Sequence, residues 1–319
     1  MTTAFIFPGQ GSQSVGMGKA LFENFPAARA VFEQCDEALS QRLSALMFEG
    51  PEAELTLTRN AQPALMTVSL AALKALQAEC GLDLARDAAF VAGHSLGEYS
   101  ALCAAGAFDI SDAARLLRLR GEAMQKAVAP GEGAMAALLG LDAAAATAAA
   151  AEAAADTGKV CQVANDNAPG QVVVSGAKAA VELAIENAKK RGARRAMLLP
   201  VSAPFHCALM QPAADVMAGA LAERSPGVPL IPIVANMEAW SLTDPNAIRD
   251  SLVRQVTGTV RWRESVEHMA SQGVTRFVEV GSGKVLAGLV KRIAEGATVL
   301  NVGVPADVAA FSATTEAAP

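Results

Sequence analysis

The chain has 319 residues and a net charge of −6, and 52% of its residues are hydrophobic while only 4% are aromatic. A chain of this length buries about 75% of its unfolded surface and forms two domains or one domain with an insertion, without small-protein staples. The acidic balance argues against nucleic acid or an anionic membrane as the main partner, and no run approaches the roughly 18 apolar residues needed to cross a bilayer.

Much of the hydrophobic content is alanine, which favours a helix-rich α/β protein with closely packed helices. Cys35, Cys80, Cys103, Cys161 and Cys207 are odd in number and show no CxxC pairing. Such a set points to reduced thiols and a cytoplasmic setting, and away from zinc. The N-terminal MTTAFIFPGQ has neither a basic n-region nor a long apolar core.

Taken in order, Ala4 to Phe7 reads as a buried strand ended by Pro8-Gly9. In the next loop, Gly9-Gln10-Gly11-Ser12-Gln13, Ser14 replaces the third glycine of a dinucleotide fingerprint and no Gly-Lys-Ser/Thr follows. The loop therefore reads as a strand-to-helix connection whose amides can approach a ligand. Leu21, Phe22, Phe25, Val31, Phe32 and Leu39 recur at helical spacing, with Pro26 opening a second helix. Thr58 to Pro63 leads into a helix from Ala64 to Cys80, stopped by Gly81. An apolar strand then enters Gly93-His94-Ser95-Leu96-Gly97 and a further helix. Asp109 to Asp112 caps a helix from about Ala113 to Val128, on which Arg115 and Arg118 form a solvated face while Arg120 turns toward Leu116, Leu117 and Met124.

From Gly133 to Ser202 the pattern changes. Strands over Ala134 to Leu141, Val160 to Ala164, Gln171 to Ser175 and Arg195 to Leu199 alternate with helices over Asp142 to Asp156 and Ala177 to Lys190. Asn165-Asp166-Asn167-Ala168-Pro169-Gly170 supplies a hairpin signal between the middle strands. The order βαββαβ is ferredoxin-like. The expected division is a large α/β subdomain, residues 1–128 and 205–319, carrying a small ferredoxin-like subdomain, residues 129–204. Beyond it, Ala208 to Arg224 and Asn246 to Val256 read as helices. Pro229 to Val234 reads as an edge strand because of its two prolines. Arg276 to Val280 and Thr298 to Val302 complete the strands, Gly281-Ser282-Gly283-Lys284 is a tight turn without Walker spacing, and Ser312 to Pro319 reads as a frayed tail.

The chemistry concentrates at the GxSxG stretch, whose strand-before, helix-after context reads as a nucleophile elbow. Glycines two residues either side let Ser95 occupy a sharp turn, and the amide of Leu96 points to where charge would grow on an attacked carbonyl. A serine needs a base, and the chain has three histidines. His94 is adjacent to Ser95 and projects away from it, and His268 lies in a polar helical stretch and reads as a surface residue. His206 follows a Pro-bounded loop at the junction of the subdomains and is paired with Ser95. Asp109, Asp112, Asp142, Asp156 and Asp166 all have cap, helix or hairpin explanations, so a backbone carbonyl is the alternative orienter of the imidazole. On these residues alone, a serine hydrolase and a non-catalytic acyl-CoA-binding subunit remain rival readings, and Arg120 remains either structural or ligand-binding.

FPGQGSQ, GHSLGE, LRLRGEAMQ, NAPGQVVVSG, APFHCALM and VRQ…VRW occur in the order and spacing of malonyl-CoA:acyl carrier protein transacylases, which the chain resembles from about Phe5 to Val304. The resemblance implies a hydrolase-like core with a parallel sheet and an inserted ferredoxin-like subdomain. It implies ping-pong transfer of malonyl from malonyl-CoA to the phosphopantetheine thiol of acyl carrier protein through a malonyl-serine intermediate, for fatty acid or polyketide synthesis. By it, Ser95 is the nucleophile, His206 the base, Gln10 and Leu96 the oxyanion-hole amides, Arg120 the carboxylate-binding arginine, and Gln255 the residue whose carbonyl orients the histidine. Phe205 matches malonyl-selecting versions of its motif, where it would crowd an α-methyl group. The enzyme would hold no cofactor of its own, CoA arriving as the substrate thioester and phosphopantetheine on the acceptor. Lys189, Lys190, Arg191, Arg194 and Arg195 form the densest basic run, either a solvated face or an attraction for the acidic carrier protein or CoA phosphates.

Overall fold

The apolar run at the N-terminus has no polar face, and in the computed structural model, which describes residues 1–316, it forms the strand β1 (Thr2–Phe7) inside a six-stranded sheet. Phe5 and Phe7 enter one core cluster, and Ala4 and Ile6 enter another on the opposite face with Trp262 and Phe277. Alternate side chains of a strand point to opposite faces, so a strand covered on both sides is apolar throughout.

The remaining strands are β2 (Phe90–Gly93), β3 (Gly133–Leu139), β4 (Cys161–Ala168), β5 (Gln171–Ala177), β6 (Arg195–Leu198), β7 (Ile233–Val234), β8 (Ser241–Leu242), β9 (Val274–Val280) and β10 (Thr298–Val302). The large sheet has the order β10-β9-β1-β2-β7-β8, parallel except for the antiparallel β7/β8 pair. β1 lies between β2 on one side and β9 on the other, so the chain order reverses there. Ligands of open α/β sheets bind at such a switch point, beyond the carboxyl ends of the strands. The second sheet, β4-β5-β3-β6, is wholly antiparallel and has the ferredoxin-like order. Its Ala136, Leu138, Val172 and Val174 face the alanine-rich helices Ala143–Thr157 and Lys178–Lys190, while Met135 and Val173 turn to the main core.

Five expectations are corrected. The helix expected from Ala64 begins at Thr58 and runs through Pro63 to Cys80. Proline cannot donate to the carbonyl four residues back, but that carbonyl, on Arg59, accepts instead from Arg118 Nε at 2.8 Å. Arg118 is thus partly buried against this helix and not on a freely solvated face. β7 is not the sheet edge, because β8 pairs outside it and the two prolines precede its two residues. Asn165-Asp166-Asn167-Ala168 belongs to β4, and only Pro169-Gly170 separates it from β5. These polar letters face the main body: Val260 donates to the Ala164 carbonyl at 2.9 Å, the Asp166 amide to the Val260 carbonyl at 3.0 Å, and Arg263 pairs with the Asp166 carboxylate at 2.8 Å. The last helix is Pro305–Glu316, held by buried Val308 and Phe311, so the expected frayed tail is helical from Ser312 to Glu316, and 317–319 lie outside the described residues.

Candidate active site

The elbow forms where β2 ends beside β1. Phe7 pairs with Gly93, and the His94 amide donates to the Phe7 carbonyl at 3.0 Å. A Cβ on Gly93 would lie 1.9 Å from the Gly97 carbonyl oxygen, and one on Gly97 2.3 Å from the Phe7 carbonyl oxygen. The two glycines are therefore required by close approach. Ser95 sits at φ 53°, in the left-handed region unfavourable for a residue with a Cβ. Asn236 holds it there: its Oδ1 accepts from the Ser95 amide at 2.7 Å and its Nδ2 donates to the Gly93 carbonyl at 2.7 Å.

His206 comes from the loop after the small sheet, at φ 58°, so both members of the pair are on unfavourable backbone. Ser95 Oγ and His206 Nε2 are 2.8 Å apart, and His206 Nδ1 lies 2.8 Å from the Gln255 carbonyl oxygen. A carbonyl only accepts, so the proton is on Nδ1 and Nε2 is left to receive a proton from the serine. Burial, and then the nearby Arg120 cation, push the imidazole down to about 3, keeping it neutral.

Arg120 is almost fully buried. Gly121 beside it allows the approach of its helix, Ile110–Lys126, to the Thr58–Cys80 helix, because a Cβ there would be 2.6 Å from the Thr58 carbonyl oxygen. The guanidinium donates to Gln62 Oε1 at 2.7 Å, to Gln255 Oε1 at 2.8 Å and to Ser95 Oγ at 3.2 Å, while its Nε has no partner among the described residues. Desolvation pushes its pKa down, with Tyr99 and Glu98 opposing. The acceptors it meets are neutral amide oxygens and a hydroxyl, so among the described residues the cation is hydrogen-bonded without a direct carboxylate partner.

These groups line a cleft of about 680 Å³ between the two sheets. Gln10, Leu96, Phe205 and the Ser95–His206 pair all open onto it. The backbone amides of Gln10 and Leu96 meet no protein acceptor among the described residues. The geometry thus brings Ser95, His206, Arg120, Gln255, Gln10, Leu96 and Phe205 to one place. His94 turns away from the serine hydroxyl, as expected, and its Nε2 lies 2.8 Å from Asn167 Oδ1 on β4. His268 is a correction: it is buried, its ring 4.2 Å from that of Trp240 and 6.0 Å from that of Phe90. A hydrophilic helical stretch concealed ring contacts with Phe90 on β2 and with Trp240 in the turn before β8.

Sequence reasoning passed over Asn236, Gln62, Asn167 and Glu98. Glu98 carried a signal, being the one charged residue of the helix Gly97–Ala104. Asn236 carried none, since its partners are backbone groups 141 and 143 residues away.

Residues 4–304 match the family model described as acyl transferase domain. Curated relatives include the malonyl CoA-acyl carrier protein transacylases of Bacillus subtilis, 49% identical over 91% of this chain and 90% of the relative, and of Escherichia coli K12, 48% identical over 96% and 97%. Among solved structures, the acyl-carrier-protein-S-malonyltransferase of Bartonella henselae is 53% identical, with a TM-score of 0.95 over 99% of this chain and 100% of that one. A malonyl-transacylase solved in complex with its type II PKS acyl-carrier protein is 42% identical, with a TM-score of 0.94 over 98% and 100%.

Proposed function

The chain belongs to the acyl transferase domain family, among the malonyl CoA-acyl carrier protein transacylases, and from that premise we propose how its residues move malonyl from malonyl-CoA to the phosphopantetheine thiol of an acyl carrier protein. The observation that carries the reading is the buried Arg120 guanidinium 3.2 Å from the Ser95 hydroxyl. A desolvated cation beside a nucleophile selects an acyl group that brings its own anion, and the planar fork of arginine fits a carboxylate through two parallel bonds.

Ser95 Oγ attacks the thioester carbonyl carbon while its proton passes to His206 Nε2. The oxyanion is met by the Gln10 and Leu96 amides, each such donor being worth about 3 to 4 kcal/mol. The C–S bond breaks, His206 returns the proton to the departing CoA sulfur, and malonyl remains as an ester on Ser95. In the second half-reaction His206 takes the proton of the pantetheine thiol, whose sulfur attacks the ester, and the proton then restores the Ser95 hydroxyl. When the malonate carboxylate meets Arg120, the positive field at His206 weakens and the imidazole becomes more basic. Arrival of the proper substrate thus strengthens the base. Phe205 restricts the space beside the acyl α-carbon.

The division into residues 1–128 with 205–319 and 129–204 is part of the same reading, supported by the separate core beneath the small sheet. A cytoplasmic setting is supported by cysteines that form no disulfide among the described residues. No described helix is long and apolar enough to cross a membrane. In the basic run, Lys189 pairs with Glu186 and Arg191 with Glu152, leaving Lys190, Arg194 and Arg195 as the charges offered to an acidic carrier.

The test is an acyl-CoA panel against a holo-carrier protein with Arg120→Ala. Malonyl transfer is expected to fall about 100-fold or more while acetyl transfer is retained or improved. Equal losses on both substrates would make Arg120 structural.

A further inference from the structure

Glu98 is completely buried in the first turn of the helix that follows the elbow. A carboxylate there could serve the helix dipole, but that role requires no side-chain partner. Here Oε2 accepts from Gln255 Nε2 at 2.8 Å and from the Asn236 amide at 3.0 Å, while Oε1 has no partner among the described residues. Leaving half of a buried carboxylate unpaired is unfavourable, so the oxygen that is used marks what the residue does.

The Gln255 amide is held from both ends. Its Nε2 donates to Glu98 Oε2 and, at 3.0 Å, to the Ser95 carbonyl, and its Oε1 accepts from Arg120 at 2.8 Å. A half-turn of the amide would set its N–H groups against the guanidinium, donor facing donor, and its oxygen against a carboxylate, acceptor facing acceptor. The Ser95 carbonyl and the guanidinium both oppose that flip, and the acceptor at Glu98 Oε2 adds the side-chain hold on the same N–H group. Among the described residues, Gln62, the other side-chain amide on Arg120, has its Nε2 anchored only by a weak bond to the Met124 sulfur at 3.7 Å.

We propose that Glu98 is a positioning residue for substrate selection: it locks the Gln255 amide with its oxygen toward Arg120, and so aims the guanidinium at the substrate carboxylate. The inference rests on the reading of Arg120 as the malonate-binding group. The same oxygen also fastens the Asn236 loop that holds Ser95, a role that would affect every acyl group alike. Selectivity therefore separates positioning from general support.

The experiment measures kcat/KM for malonyl-CoA and acetyl-CoA with a holo-carrier protein for Glu98→Met, Glu98→Gln, Arg120→Ala and the Glu98→Met/Arg120→Ala pair. Glu98→Met is expected to lower the malonyl-to-acetyl ratio by about 10- to 100-fold, the worth of one hydrogen bond to a charged group. Glu98→Gln restores most of the ratio, since its carboxamide oxygen accepts the same N–H. In the Arg120→Ala background, Glu98→Met changes the ratio no further. Equal losses for both substrates, or additive losses of selectivity in the pair, would overturn the proposal. If Glu98→Met does not fold, Glu98→Asp draws the carboxylate back from Gln255, and an unchanged ratio in that variant overturns the proposal equally. An Arg120→Ala ratio like that of wild type would instead remove the carboxylate reading on which the inference stands.

Discussion

The two sheets solve opposite problems. The small one is an antiparallel layer on alanine-rich helices, and its enclosed core contains Ala136, Ala146, Val174 and Ala184. The large one is parallel, covered on both faces, and at the carboxyl ends of its central strands it buries Glu98, Arg120 and His206 together. Burying ionisable groups costs stability wherever it is done, and here it holds His206 neutral. It is tolerated where close glycine contacts at Gly93, Gly97 and Gly121 hold the surrounding backbone and amides surround the ionisable side chains. The small sheet gives shape to the cleft, through Met135 and Val173, and the large sheet gives it chemistry.

The contrast breaks most completely at the nucleophile. Ser95→Ala keeps the fold while malonyl transfer falls by about 10⁴-fold or more, and mass spectrometry finds no malonyl adduct on the protein. A retained adduct would move the nucleophile elsewhere. A smaller effect sharpens the electrostatic side. With His206 held low by burial and by Arg120, the acid limb of kcat/KM in wild type lies well below the usual histidine range near 6.5. Arg120→Ala removes one of those causes, so the folded-state pKa rises and the acid limb moves to higher pH. A pH profile with acetyl-CoA reads this directly. The same sign governs stability: a histidine kept neutral in the fold binds fewer protons than in the unfolded chain, so its contribution is lost as pH falls from about 6.5 toward 3. The smallest effect concerns the seam between the sheets. Arg263→Met leaves the buried Asp166 carboxylate without its ion pair, and denaturant unfolding is expected to show a loss of about 1 to 3 kcal/mol with little change in kcat.

The elements were legible where a local pattern decided them. The GxSxG turn, the βαββαβ order and the cap at Asp109 depend on neighbours within a few residues, and each formed as read. Readings failed where a distant group changed the local rule. Pro63 stays helical because Arg118 takes up the released carbonyl, and Asn165 to Ala168 extend a strand because Val260 and Arg263 meet them. His268 is buried because Trp240 and Phe90 come from elsewhere in the chain.

The sequence by itself determined which residues could do chemistry: a serine on a glycine-flanked turn, few histidines to serve it, and an arginine turned to the apolar side of its helix. The tertiary structure alone decided how they are aimed. The Asn236 clamp on Ser95, the Gln255 carbonyl on His206 and the amide cradle of Arg120 join groups 141, 49, 58 and 135 residues apart. Hydrogen bonds across such separations leave no periodicity or spacing in the chain, because their direction is set by packing and not by neighbours in sequence.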